Sequence, residues 1–212
     1  MIVYHASEFE LIEARAHPWS VGLNDKSNVY FDFKAYPNLI RTSLEDFKQY
    51  ENHAFCQTFY ELLEWLNGEN SFFETNDCAF KSPSENIDKQ FKYTKRCSGR
   101  LMILYRDIYE NTQFKSIDWL FNNLMKLLYV RDREFRAGAI GLSIMKTIYK
   151  ALSPNPNEGG SGWQIMLSFF AYADNKNISF KNMNRILFNV SKCLFSLNNR
   201  IKQGEVKALN SY

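Results

Sequence analysis

The chain has 212 residues, 45% of them hydrophobic and 23% charged, a balance that provides for a folded core and argues against a disordered chain. Its net charge of +3 is divided unevenly: residues 1–80 hold 5 basic and 13 acidic side chains, and residues 81–212 hold 21 basic and 10 acidic. No run approaches the roughly 18 apolar residues of a membrane-crossing helix.

The opening Met1-Ile2-Val3-Tyr4-His5 has no basic region followed by a long apolar stretch, so no secretory signal is expected. Four cysteines at 56, 78, 97 and 193 show no C-x-x-C spacing. Free thiols in a reducing cytoplasm are the expected setting. Aromatic residues reach 16%, with 18 Phe and 12 Tyr, which predicts a bulky core.

Ser7-Glu8-Phe9-Glu10 has the form of a capping box and predicts a short helix through Ala16, before Pro18. Residues 21–28 read as a loop. Val29, Phe31 and Phe33 alternate with Asp32 and Lys34, the pattern of a strand with no evident partner. Ser43-Leu44-Glu45-Asp46 starts a helix that aligns Leu44, Phe47 and Tyr50. His53 is expected at its end, near the terminal carbonyls. Phe55, Phe59, Leu62, Leu63 and Leu66 form the next stripe, stopped by Asn67-Gly68.

Residues 69–98 read as an irregular segment. Helices are then expected from Gly99, with Leu101, Leu104, Tyr105 and Ile108 inward; from Ser116, with Ile117, Leu120, Leu124 and Leu128; and from Glu134 to Leu152, with Ile140, Ile144 and Ile148. A loop over 153–162 precedes an all-apolar helix from Trp163 to Ala173 and a last helix from Ser179 to Gln203. The sum is a mainly α single domain over 1–212, a bundle of about seven helices with a short N-terminal strand or hairpin as an addition.

Chemical motifs are sparse. Gly159-Gly160-Ser161-Gly162 lacks the lysine of a nucleotide-binding loop. His5, His17 and His53 have no ligand spacing, so no metal and no cofactor is expected. Glu61 and Glu64 are helix neighbours that are expected to face solvent or basic partners. Cys78, beside Asp77, and Cys97, between Arg96 and Gly99-Arg100, are the candidate reactive thiols, because nearby positive charge lowers a thiol pKa. Lys89, Lys92, Lys95, Arg96 and Arg100 cluster within twelve residues, with Phe91 and Tyr93 interleaved. Cations for phosphates beside rings for bases suit a single strand.

The leading expectation is a non-enzymatic helical interaction module that binds a protein partner or itself. The alternative is nucleic-acid or anionic-ligand binding through Lys89, Lys92, Tyr93, Lys95, Arg96 and Arg100. An enzyme of unrecognised type ranks third. The charge division bears on this choice, because the basic cluster matters only if the acidic first eighty residues do not neutralise it.

Overall fold

A computed structural model describes residues 1–6, 32–149, 152 and 160–206, together with the backbone of 16–17, 22–23 and 29–30. The elements in chain order are β1 (Ile2–His5), β2 (Ala16–His17), β3 (Gly22–Leu23), β4 (Val29–Tyr30), α1 (Ile40–Ser43), α2 (Glu45–Lys48), α3 (Ala54–Asn67), β5 (Phe73–Glu85), β6 (Lys95–Tyr105), α4 (Phe114–Arg131), β7 (Gly138–Tyr149), β8 (Gly160–Ala173) and α5 (Lys176–Lys202). A mixed sheet runs in the order β1-β7-β8-β6-β5. β1 is parallel to β7, as is β2 further along the same edge. The remaining pairs of that sheet are antiparallel. β3 and β4 form a separate two-stranded ribbon.

This architecture is α/β and corrects the all-α bundle expected from periodicity. The four-residue steps of Ile140, Ile144 and Ile148 fit a helix, but four is also a multiple of two. In β7 the three fall on one side of a strand, with Leu142 between them. The run expected as a buried helix over 163–173 is β8, which is paired on both edges by β6 and β7. Leu101 to Leu104 of β6 are all buried. A strand covered on both faces loses its alternation and reads as a plain apolar run.

The irregular segment 69–98 is instead β5, a connecting loop and the start of β6. Residues 160–162, expected in a loop, open β8. The strand expected over 29–35 is only Val29–Tyr30, and its partner β3 lies where a loop was expected. The helix expected from Ser43 is two short turns, α1 and α2. The helix expected from Ser7 falls on 7–15, outside the described residues, and Ala16 is in β2.

Where helices were expected and found, the apolar stripes are the buried faces. Phe55, Phe59, Leu62, Leu63 and Leu66 of α3 lie in the core, and Asn67 closes the helix by donating Nδ2 to the Leu63 carbonyl at 2.9 Å. α4 starts at Phe114, so Ser116 is not its cap; its Oγ donates to Glu110 at 2.5 Å. α5 begins at Lys176, capped by Asn175, which accepts from the Ile178 amide at 2.9 Å.

α3, α4 and α5 cover one face of the sheet, with α5 between the other two. α3 and α5 run parallel: Thr58 Oγ1 donates to Asn184 Oδ1 at 2.7 Å, and further along the Phe72 amide donates to Asn198 Oδ1 at 2.8 Å. Beneath them Cys97, Leu101 and Ile103 of β6, Ile140 and Leu142 of β7, and Ile165, Leu167 and Phe169 of β8 form one buried cluster. Each large apolar side chain buried there contributes about 1.5–3 kcal/mol. The chain thus places two hairpin-plus-helix units in succession, β5-β6-α4 and β7-β8-α5, joined through the β6–β8 pairing. The alternate residues of the same strands face the opposite, helix-free side, where no α-helix lies among the described residues; the 3-10 turn Ile108–Thr112 reaches its rim, with the Asn111 carbonyl oxygen 2.8 Å from where a Cβ on Gly162 would sit.

Candidate anion-binding face

Parity along the strands builds this helix-free face. Thr75 of β5 turns toward α3, where its amide and hydroxyl bond Asn67. The pairing with β6 then shifts between Thr75 and Asp77, and such a bulge re-aims the residues that follow. Asp77 meets Arg100 of β6 in a 2.8 Å ion pair. Asn76 Nδ2 donates to Gln164 Oε1 of β8, and Gln164 Nε2 lies 3.5 Å from Met102 Sδ. Glu74 takes the Lys34 ammonium at 2.7 Å.

The face divides into two zones. The inner zone is polar and buried: Asn76, Ser143, Thr147 and Gln164 are 5%, 2%, 1% and 1% exposed. Asn76 Oδ1, Ser143 Oγ and Thr147 Oγ1 have no hydrogen-bond partner there, a condition that buried polar atoms rarely show.

The outer zone is more open and carries the cations. Arg96, Ser98 and Arg100 pair across to Tyr172, Phe170 and Ser168 of β8, and Phe170 and Ser168 pair in turn to Ala139 and Gly141 of β7. Small residues therefore surround the half-buried Phe170 ring. The Arg96 guanidinium sits 5.6 Å from the centre of that ring. At the far rim the Tyr4 ring lies over Gly141, where an added Cβ would come within 2.9 Å of Cζ. Tyr4 remains 39% exposed. Burial first, and then the Asp88 carboxylate, raises the Tyr4 pKa, so the phenol is neutral and available as a donor.

The loop between β5 and β6 is tied across the end of β8. Asn86 Nδ2 donates to the carbonyls of Asp88, Phe91 and Tyr93 at 3.1, 3.0 and 2.9 Å. The Phe91 ring stacks on Tyr172 at 3.7 Å, and the Tyr172 hydroxyl donates to Asp88 at 3.2 Å. Lys89 and Lys92 stand exposed on this loop, with Tyr93 half-buried. Lys95 is half-buried at the first position of β6. The basic residues expected together are thus split between a loop (Lys89, Lys92) and a strand face (Arg96, Arg100).

The charge division is bridged in one place among the ion pairs of the described residues, at Arg100–Asp77. Lys34–Glu74, Arg41–Glu64, Arg185–Asp132 and Arg200–Glu205 each stay within one half.

The thiols are placed differently from expectation. Cys97 follows Arg96 on a strand and so points to the opposite face, wholly buried, with Sγ 3.6 Å from the Ser179 carbonyl. Burial pushes its pKa up to about 12, opposite to the lowering that neighbouring cations suggested. Cys78 is half-buried against the core. Cys56 and Cys193 are buried in helices. His5 packs edge-on against Phe121, with ring centres 5.0 Å apart. His53 is not at a helix C-terminus but at the N-cap of α3.

Sequence reasoning missed Tyr4, Phe170, Ser168 and Gly141. The signal for part of this face was present: Arg96, Ser98 and Arg100 alternate with Cys97, Gly99 and Leu101, which is strand periodicity. No family model, curated protein or solved structure matches the chain.

Proposed function

We propose that the protein binds single-stranded nucleic acid across the outer zone of the helix-free face. The observation that carries this reading is that Arg96, Arg100, Phe170 and Tyr4 share one face of the sheet, with small residues between them. Arg96 and Arg100 lie about 14 Å apart along the strand at ordinary strand rise, so they can serve separate phosphates. The half-buried Phe170 ring and the exposed Tyr4 ring offer stacking surfaces that any base can use. Lys89 and Lys92 extend the positive field beyond the strand end. Four unbridged cysteines fit a reducing cytoplasm as the setting.

A mobility-shift series against salt tests the proposal. Binding is expected at low salt, with affinity falling as salt rises, because phosphate contacts release counterions. Arg96→Ala should reduce the salt slope by about 0.7, and Arg100→Ala by less, because Arg100 already pairs with Asp77 at 2.8 Å. Phe170→Ala should cost about 1–3 kcal/mol of binding. No binding to mixed single strands at low salt would remove the reading.

A second reading, a module that binds a protein partner or itself through its helical layer, is supported by the outer face of α5. Phe188 and Phe195 are 51% and 40% exposed there, and Trp65 of α3 packs on Phe195 with ring centres 4.0 Å apart. Light scattering over a concentration series, with Phe188→Glu as the control, tests self-association.

A further inference from the structure

At the end of the helical layer, between the starts of α3 and α5, a groove of about 470 Å³ is lined by Asn52, His53, Asn177, Lys181 and Asn184 over a floor of Phe55 and Phe180. We propose that this groove is a binding site for a phosphate group, separate from the sheet face and not resting on its assignment.

The polar lining can present a donor from each of its side chains. Lys181 supplies an ammonium, His53 an imidazole, and three asparagines supply amide N–H groups. Among the described residues no carboxylate lines the groove; Glu51, next in sequence to Asn52, is not part of the wall. Asn184 is held in one orientation, because its Oδ1 accepts the Thr58 hydroxyl at 2.7 Å. That bond uses the acceptor end of the amide and leaves its N–H groups for a ligand.

The floor and the histidine are fixed by packing. Phe55 and Phe180 stack at 4.8 Å, and the His53 ring lies 4.5 Å from Phe180. His53 occupies the N-cap of α3 without making a side-chain cap bond, so its ring is not committed to the helix. A second ammonium stands beside the groove, with Lys176 Nζ 5.6 Å from the Phe180 ring centre. The backbone field acts in the same direction, since neither helix carries an acidic residue in its first turn.

A tetrahedral phosphate offers acceptors on every side and no need for a carboxylate partner, which matches this donor set better than a neutral ligand does. Charge-assisted bonds of this kind are the strong ones.

Titration of the whole protein with inorganic phosphate at constant ionic strength, followed by amide and imidazole NMR shifts, tests the site. Saturable shifts are expected at Ala54, Phe55 and Asn177 and at the His53 ring. Lys181→Ala should weaken the apparent affinity at least about tenfold, and Asn177→Ala by a smaller factor. Both residues are exposed, so neither change threatens folding. Arg96→Ala should leave phosphate binding unchanged, and Lys181→Ala should leave any nucleic-acid mobility shift unchanged, which separates this site from the sheet face. Two results would overturn the proposal: shifts that rise without saturation and spread equally over Lys89 and Lys92, or a Lys181→Ala protein that titrates like the wild type.

Discussion

The two faces of one sheet are built from the same strands and differ in almost every property. Phe169 is 1% exposed beneath the helices, whereas Phe170, the next residue, is half-buried on the open side beneath Arg96. Cys97 lies in the core between Arg96 and Ser98, which both face outward. On the covered face the residues are apolar and interlocked. On the helix-free face buried hydroxyls and amides adjoin an outer zone of cations and rings. The lesson is that position parity, rather than neighbourhood in sequence, sets the chemistry of a side chain on a strand.

The largest expected contrast is in stability. Leu167→Ala, on the covered face, should cost about 2–5 kcal/mol, and Phe170→Ala about 1 kcal/mol or less. Denaturant midpoints measure both, and equal losses would erase the distinction between the faces.

Glycines give the next contrast. A Cβ at Gly99 would run into the buried Phe169 ring and come within 3.0 Å of the Ala79 carbonyl oxygen. Gly99→Ala should therefore cost about 1–3 kcal/mol. The nearest atoms to a Cβ at Gly141 belong to the Tyr4 ring, which is exposed enough to swing aside, so Gly141→Ala should cost below about 1 kcal/mol.

A smaller effect belongs to the edge of the helical layer. Asp132 accepts from Arg185 at 2.7 and 2.8 Å and from Asn189 at 3.0 Å. The Arg185 bond is the main cause that holds its carboxyl below the usual range. A depressed folded pKa means that the stabilisation is present above the ordinary carboxylate pKa of about 4 and is lost as pH falls through the folded value. Arg185 is half exposed, so solvent screening keeps the effect to about 1 kcal/mol or less. The stability gap between wild type and Asp132→Asn should thus shrink between pH 7 and pH 3; a gap independent of pH would contradict the pairing.

The finest test is chemical. With its pKa near 12, Cys97 should resist thiol reagents at pH 8 in the native protein and react only after unfolding. Modification of native Cys97 would place it on the wrong face.

Part of this was legible in the residues themselves. The stripe Phe55–Leu66 marks the buried face of α3, and Asn67-Gly68 marks a helix end. A helix closes its hydrogen bonds within four residues, so its burial pattern is written in local spacing. The basic residues of the candidate face were legible as types, but not their arrangement. Arg96 and Arg100 were grouped with Lys89 and Lys92, whereas the fold sets them on a strand beside Phe170 and Tyr4, which come from distant segments.

The sequence by itself therefore determined the three long helices α3, α4 and α5, the apolar supply of the core and the presence of a cation-rich stretch. Only the tertiary structure decided that 95–105, 138–149 and 160–173 are strands. The pairing that joins the two hairpins, β6 with β8, spans α4 and β7 in sequence, and cover on both faces of the central strands erases the alternation that would have announced them. The same pairing turned Arg96 outward and Cys97 inward, so the site's chemistry followed from strand registry rather than from residue spacing.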